Sequence, residues 1–149
     1  MKTQALLLAF AVSFSSLAQT LSTIEAVEYD PSGDRWFVSN TWSILETSDG
    51  GVNWEYFGDA EASHGMEVLG DNLYVLKNSQ LRAYDLATAN LVSTAGFSPT
   101  PDFLNGMGND GENLIVISDF ATSRIYTADV SNPENIITTM ITSVVGEPI

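Results

Sequence analysis

The chain has 149 residues, 44% hydrophobic and 10% aromatic, which is enough for one domain with a sizeable core. Five basic residues against 19 acidic ones give a formal net charge of −14, which repels phosphate backbones and anionic lipid and sets nucleic acid aside as a partner. There is no cysteine, which excludes a disulfide-stapled module and any metal site built on thiolates.

The first 18 residues read as an export signal. Lys2 supplies a positive start, Ala5 to Phe14 is apolar, and Ser16-Leu17-Ala18 offers small residues for cleavage after Ala18. The apolar run is too short to span a bilayer, so no membrane insertion is expected. A cleaved signal peptide implies secretion, the periplasm or the cell surface, with residues 19–149 as the folded domain.

From Leu21 onward apolar residues come in runs of four to six, broken by Gly, Asn, Asp and Ser, and no helix period appears. Three units follow in order. In unit one, residues 24–57, the pattern predicts strands at 24–29, 35–39, 43–47 and 53–57, with Asp30-Pro31-Ser32-Gly33 as a turn. In unit two, residues 64–94, it predicts strands at 66–69, 73–77, 80–85 and 90–93. Pro99 and Pro101 lie between units, where no ladder N–H is needed. Unit three spans residues 105–140, and the residues after Thr142 read as the approach to a further unit.

The units repeat one another. Gly65-Met66 matches Gly106-Met107, Gly70 matches Gly111, and Leu73 and Val75 match Leu114 and Val116, all at an offset of 41. Leu81 falls on Ile125 and Asp85 on Asp129 at an offset of 44, and 34–40 parallels 113–119 at 79. A period near 40 residues made of short strands marks a β-propeller blade. The fold expected is all-β, with about three four-stranded antiparallel blades of an incomplete or open propeller. Propellers close with roughly four to eight blades. Three blades leave a sheet edge exposed at each end, which invites self-association.

Alternating strand direction puts the loops after each second strand and before each first strand on one face. That face collects Glu25, Asn40, Thr41, Trp42 and His64 from the first two units, with Asn78, Asn105, Asp119 and Phe120 beyond them. Its oxygens suit a divalent cation such as Ca²⁺, and Trp42 is placed to stack on a ligand ring. The competing reading is that Asn and Asp are simply good turn residues and that Trp42 caps blade packing. His64 is the only histidine and reads as a loop residue, so a His-rich metal site cannot form. Trp36 is expected in the blade core, and Met66 and Met107 between blades. No phosphate loop or nucleophile elbow occurs, and no catalytic residue is assigned.

Two resemblances add to this reading. Thr47-Ser48-Asp49-Gly50-Gly51-Val52-Asn53-Trp54 resembles the Asp-box hairpin of sialidase-type propellers, matching at Thr47, Asp49, Gly51 and Trp54. Its role there is structural. An Asp in a tight turn accepts backbone N–H bonds, and Gly51 permits positive φ. Asn105-Gly106-Met107, Asn113 to Val116, Asp119, Arg124-Ile125-Tyr126 and Asp129 resemble a blade of the gluconolactonase, senescence-marker-protein and NHL-type propellers. That resemblance implies a divalent metal held by Glu25 and Asn105, and lactone hydrolysis; the later-blade Asp of the family has no counterpart here. The function expected is an exported binding or scaffold module presenting one loop face to a protein or carbohydrate. The alternative is a metal-dependent lactone hydrolase, incomplete in this chain.

Overall fold

The computed structural model describes residues 19–142. The signal peptide expected over 1–18 and the approach to a further unit beyond Thr142 lie outside the described residues. Three sheets, each of four strands, fill the rest. The first holds β1 (Ile24–Asp30), β2 (Arg35–Asn40), β3 (Ser43–Thr47) and β4 (Glu55–Glu61). The second holds β5 (His64–Leu69), β6 (Asn72–Lys77), β7 (Gln80–Asp85) and β8 (Leu91–Gly96). The third holds β9 (Leu104–Asn109), β10 (Leu114–Asp119), β11 (Arg124–Asp129) and β12 (Ile137–Thr142). Every sheet is an antiparallel meander in chain order. Their first strands stand side by side, β1 next to β5 and β5 next to β9. These are propeller blades, three in number among the described residues, and the ring they begin is open.

Two apolar layers hold the blades together. Between blades one and two lie Phe37, Ile44 and Phe57 on one side and Leu73, Val75 and Tyr84 on the other. Between blades two and three, Tyr74, Leu76 and Leu81 meet Ile115, Ile117 and Tyr126. Strand side chains alternate between faces. Thus β6 sends Leu73 and Val75 into one layer and Tyr74 and Leu76 into the other, and all four are buried. Burial also pushes the Tyr74 hydroxyl up to about 12. By contrast β10 is buried at Ile115 and Ile117 and exposed at Val116 and Ser118, because nothing in the described chain covers its second face.

Each first strand carries a bulge near its upper end. The register slips between Ile24 and Val27, between His64 and Met66, and between Leu104 and Met107. The extra residues bond sideways. Ser39 Oγ accepts the N–H groups of Glu25 and Ala26, and Ser118 Oγ accepts that of Gly106. In blade two Leu76 replaces the serine, and Gly65 takes φ of 25°.

The structure corrects several details of the sequence reading. β4 begins at Glu55 rather than Asn53, because Asn53 belongs to the turn around Asp49, and it continues to Glu61. His64 is the first residue of β5, paired with Leu76, and is not in a loop. Leu73 and Val75 correspond to Ile115 and Ile117, one position later than the offset of 41 implies. The turn that follows Gly111 holds one more residue than the turn at Gly70, because Asp110 Oδ1 gathers three successive N–H groups, from Glu112 to Leu114. Trp36 is 46% exposed, since it lies on the face of blade one that no other blade covers.

Leu76 sits at the centre of this arrangement. Leu76→Ala is expected to cost about 3 kcal/mol, from lost transfer energy plus a cavity. Leu91→Ala, in an exposed position on the outer strand, should cost about 0.5 kcal/mol or less. Urea denaturation of both variants checks this, and equal losses would contradict the central place of β6.

Candidate functional site

The upper end of the blades, where β1, β5 and β9 begin, carries a strip of aromatic side chains across all three blades. In blade one the β2–β3 turn places Thr41 at φ of 65°, a conformation rarely held by a β-branched residue, and presents Trp42 at its tip. The turn is pinned by Thr41 N–H to Thr23 O at 3.2 Å and by Ala62 N–H to Trp42 O at 3.1 Å. Lys77 Nζ lies 4.2 Å from the centre of the Trp42 ring and 3.4 Å from Glu61 Oε1. Glu61 also takes Arg82 Nη1 at 3.2 Å, so a buried lysine is neutralised beneath an indole that stays half exposed.

The strip continues through blade two. Ser63 Oγ donates to Leu76 O at 3.0 Å and accepts the Asn78 N–H at 3.1 Å, which fixes the start of β5 against the β6–β7 turn. Beside it the His64 ring meets Phe103 edge to face, centroids 4.7 Å apart, and Phe103 meets Phe120 at 6.2 Å. Phe120 is 76% exposed. The rings touch Lys77 and one another, and Trp42, Phe103 and Phe120 keep an exposed face.

Asp119 builds the support under Phe103 and Phe120. It is buried, and its two oxygens accept the N–H groups of Asp102, Phe103 and Ala121 at 3.0–3.1 Å together with the Thr122 hydroxyl. Burial raises its pKa, but the bonds from Thr122, Asp102 and Phe103 outweigh it and hold the carboxyl below the usual range. With these donors in place, Asp119 orients backbone rather than facing a ligand.

The remaining expected residues divide. Asn40 accepts the Ser22 N–H and donates to Thr20 O, fastening the segment before β1. Asn78 stays exposed at φ of 54° in its turn. Glu25 and Asn105 occupy matching bulges and are both exposed, but β5 stands between their strands. Glu25, His64 and Asn105 offer one carboxylate, one imidazole and one amide, whereas Ca²⁺ takes roughly six to eight oxygens. Among the described residues no group of three or more His, Asp or Glu side chains gathers to hold a cation. This donor set does not fit a resident divalent metal.

Two residues of the strip were absent from the sequence-level set. Phe103 follows the Pro99–Pro101 connection, and only its backing by Asp119 turns it toward His64. Lys77 ends a buried strand and reads as an ordinary strand-end charge. A signal was available for Phe103, an aromatic three residues ahead of the bulge glycine Gly106.

At the opposite end, Asp49 closes the β3–β4 turn. It accepts the Thr47 hydroxyl at 2.8 Å, the Val52 and Asn53 N–H groups at 3.0 Å, and the Asn53 side-chain amide at 2.7 Å. Thr47 Oγ1 accepts the Gly51 N–H at 3.1 Å, and Gly51 adopts φ of 89° beneath the Trp54 ring. A polar cleft opens between this turn and Gly33. In it Arg35 binds Asp30 at 2.9 Å and Glu46 at 2.7 Å and also donates to Leu86 O, while Glu55 is exposed at its rim.

No family model matches the chain, and no curated protein matches it. Solved structures do. A chain in the S. cerevisiae complex of Dbp5 with Nup159, Gle1, IP6 and ADP is similar with a TM-score of 0.57 at 12% identity, over 83% of this chain and 35% of that one. The N-terminal domain of Nup159 gives 0.54 at 13% identity, over 83% and 35%. Kluyveromyces marxianus Hsv2 gives 0.50 at 15% identity, over 79% and 38%. These neighbours are β-propellers, and the likeness shows that fold for this chain. The chain spans little more than a third of their length.

The Asp49 carboxyl is held down to about 2, first by the Asn53 backbone and side chain and then by Thr47. A depressed carboxylate contributes stability above its unfolded pKa, near 4, and loses it as pH falls through its folded pKa. Asp49→Asn is therefore expected to lower Tm at pH 7 and to soften the acid loss between about pH 4 and pH 2. Thermal melts across that range check it; an acid profile identical to wild type would contradict the turn's dependence on the charge.

Proposed function

We propose that the protein is an exported propeller module that binds a protein or carbohydrate ligand on its upper loop face. The observation that carries this is the strip Trp42, His64, Phe103 and Phe120. Trp42, Phe103 and Phe120 are exposed and His64 half-buried; the rings come from all three blades and are each fixed by cation–π contact, ring contact or a buried carboxylate. Fixed aromatic rings offer large contact area at little entropic cost, as interface anchors do. The signal-like first 18 residues and the acidic surface suit a protein kept soluble outside the cytoplasm. Structural neighbours include a propeller seen in complex with Dbp5 and Gle1, so blades of this shape serve as protein-binding scaffolds elsewhere. The Thr47–Trp54 turn resembles an Asp-box and is assigned a structural role, since its polar groups are satisfied within the turn.

The lactone-hydrolase alternative gains no specific support, because Glu25 and Asn105 alone supply too few oxygens for a divalent ion. The test is binding to a glycan array and, in parallel, to a displayed peptide library. Trp42→Ala combined with Phe120→Ala is expected to weaken binding by about tenfold or more, with the β-sheet spectrum unchanged. Val52→Ala at the opposite end should leave affinity intact. Binding in neither library, or binding lost with Val52→Ala and kept in the double variant, would overturn the assignment.

A further inference from the structure

Twice inside this protein a cation is held by aromatic rings and carboxylates together. Arg35 lies 4.8 Å over Phe37 and 5.4 Å over Phe57, while its Nε binds Asp30 at 2.9 Å and its Nη1 binds Glu46 at 2.7 Å. Lys77 lies 4.2 Å over Trp42 and reaches Glu61 at 3.4 Å. In both places a ring face and a carboxylate replace the water that a desolvated cation loses.

The upper face carries exposed rings and exposed carboxylates, and the cation is missing. Phe103 and Phe120 are exposed in blade three, and Asp102 precedes Phe103 in the chain. Glu25 stands at the start of β1, on the blade that carries Trp42. Both Asp102 and Glu25 are exposed, and neither carboxylate has a hydrogen bond or ion pair among the described residues. No cation of the described chain is left for them. Arg35 is committed at the other end, Lys77 and Arg82 share Glu61, and Arg124 donates to Thr100 O at 3.4 Å. The polar groups that a sugar needs are engaged as well. Asp119 and Asn40 bind backbone groups, and Ser63 binds Leu76 O and the Asn78 N–H. Nor do the rings form a flat platform for sugar stacking, since Phe103 meets His64 at 74° and Phe120 at 79°.

We propose that the ligand of the upper face is a protein segment presenting arginine, its guanidinium stacked at Phe103 and Phe120 and paired with Asp102. Glu25, at the far end of the strip, receives a second basic residue of the same segment. This rests on the upper face being the binding surface, and it narrows the ligand from protein or carbohydrate to a cationic peptide. Arginine suits the site better than lysine. Its planar group stacks by its face and donates from its edge at the same time, as Arg35 does within the protein. The formal net charge of −14 draws such a segment in from a distance.

The test is fluorescence anisotropy of the purified chain with two labelled octapeptides, one alternating glycine with arginine and one alternating glycine with citrulline. Salt is held at about 0.1 M, where distant charges are screened. Citrulline keeps the shape of arginine and lacks its charge, so the arginine peptide is expected to bind about tenfold more tightly or better. Asp102→Asn and Phe120→Ala should each weaken it about fivefold, with the β-sheet spectrum unchanged. Glu112→Gln removes the same charge in the β9–β10 turn, at the opposite end, and should leave affinity intact. No binding of the arginine peptide, equal binding of the two peptides, or equal losses in Asp102→Asn and Glu112→Gln would each overturn the proposal. A glycan whose binding is lost in the Trp42→Ala, Phe120→Ala double variant would also overturn it, while keeping the upper face as the binding surface. Arginine-peptide binding that survives the double variant would remove both.

Discussion

The middle sheet must be covered on both sides, and the rest of the fold follows from that. Leu73 and Val75 point one way from β6 and Tyr74 and Leu76 the other, each fully enclosed. A four-stranded sheet with two apolar faces cannot stand in water, so blades one and three are held on it by the burial of their own apolar faces. Arg35 reinforces one of these junctions. Its guanidinium lies 4.8 Å over Phe37 and 5.4 Å over Phe57, binds Asp30 and Glu46, and donates to Leu86 O in blade two. The desolvation of this charge is offset by complete pairing.

The same constraint explains what the blades present. Blade packing uses the sheet faces and leaves the strand ends free, and the bulges at Glu25, Gly65 and Gly106 shape the upper ends. Bulges re-aim side chains and are common beside binding sites. In this protein they accompany turns whose tips are Trp42, Asn78 and Phe120. Of the carboxylates at this end, Asp119 is committed to the backbone and Glu61 to cations, whereas Glu25 stays exposed. The first strands carry a different electrostatic feature. Glu28 and Glu67 are both raised by burial, and Glu28 further by Glu67, so this wall of the ring is stabilised as pH falls toward their ordinary range.

Much of the architecture was legible in the residues. Alternation and turn signals marked the strands, and glycines announced the repeat: Gly65, Gly70 and Gly111 supply positive φ, and Gly106 leaves room for Ser118 Oγ. The Thr47–Trp54 motif pointed to a self-satisfied turn for a local reason, its Asp reaching N–H groups only three and four residues away. Contacts between distant residues were not legible. A one-residue difference in a turn shifted the true correspondence of Leu73 from Leu114 to Ile115. Trp36 reads as core by composition and is exposed because burial depends on a neighbouring blade. Phe103 gains its place only through Asp119, sixteen residues later in the chain, and Lys77 through a ring in another blade.

Hydrogen exchange resolved to single amides tests the central claim most directly, because opening of any blade must expose one or both apolar layers. The account predicts that the amides of β6 exchange slowest of all, those of β2 and β10 next, and those of the outer strands β4 and β12 fastest. Slowest exchange in β2 or β10 with β6 ordinary, or uniform exchange over the three sheets, would contradict a fold built outward from a doubly buried middle blade.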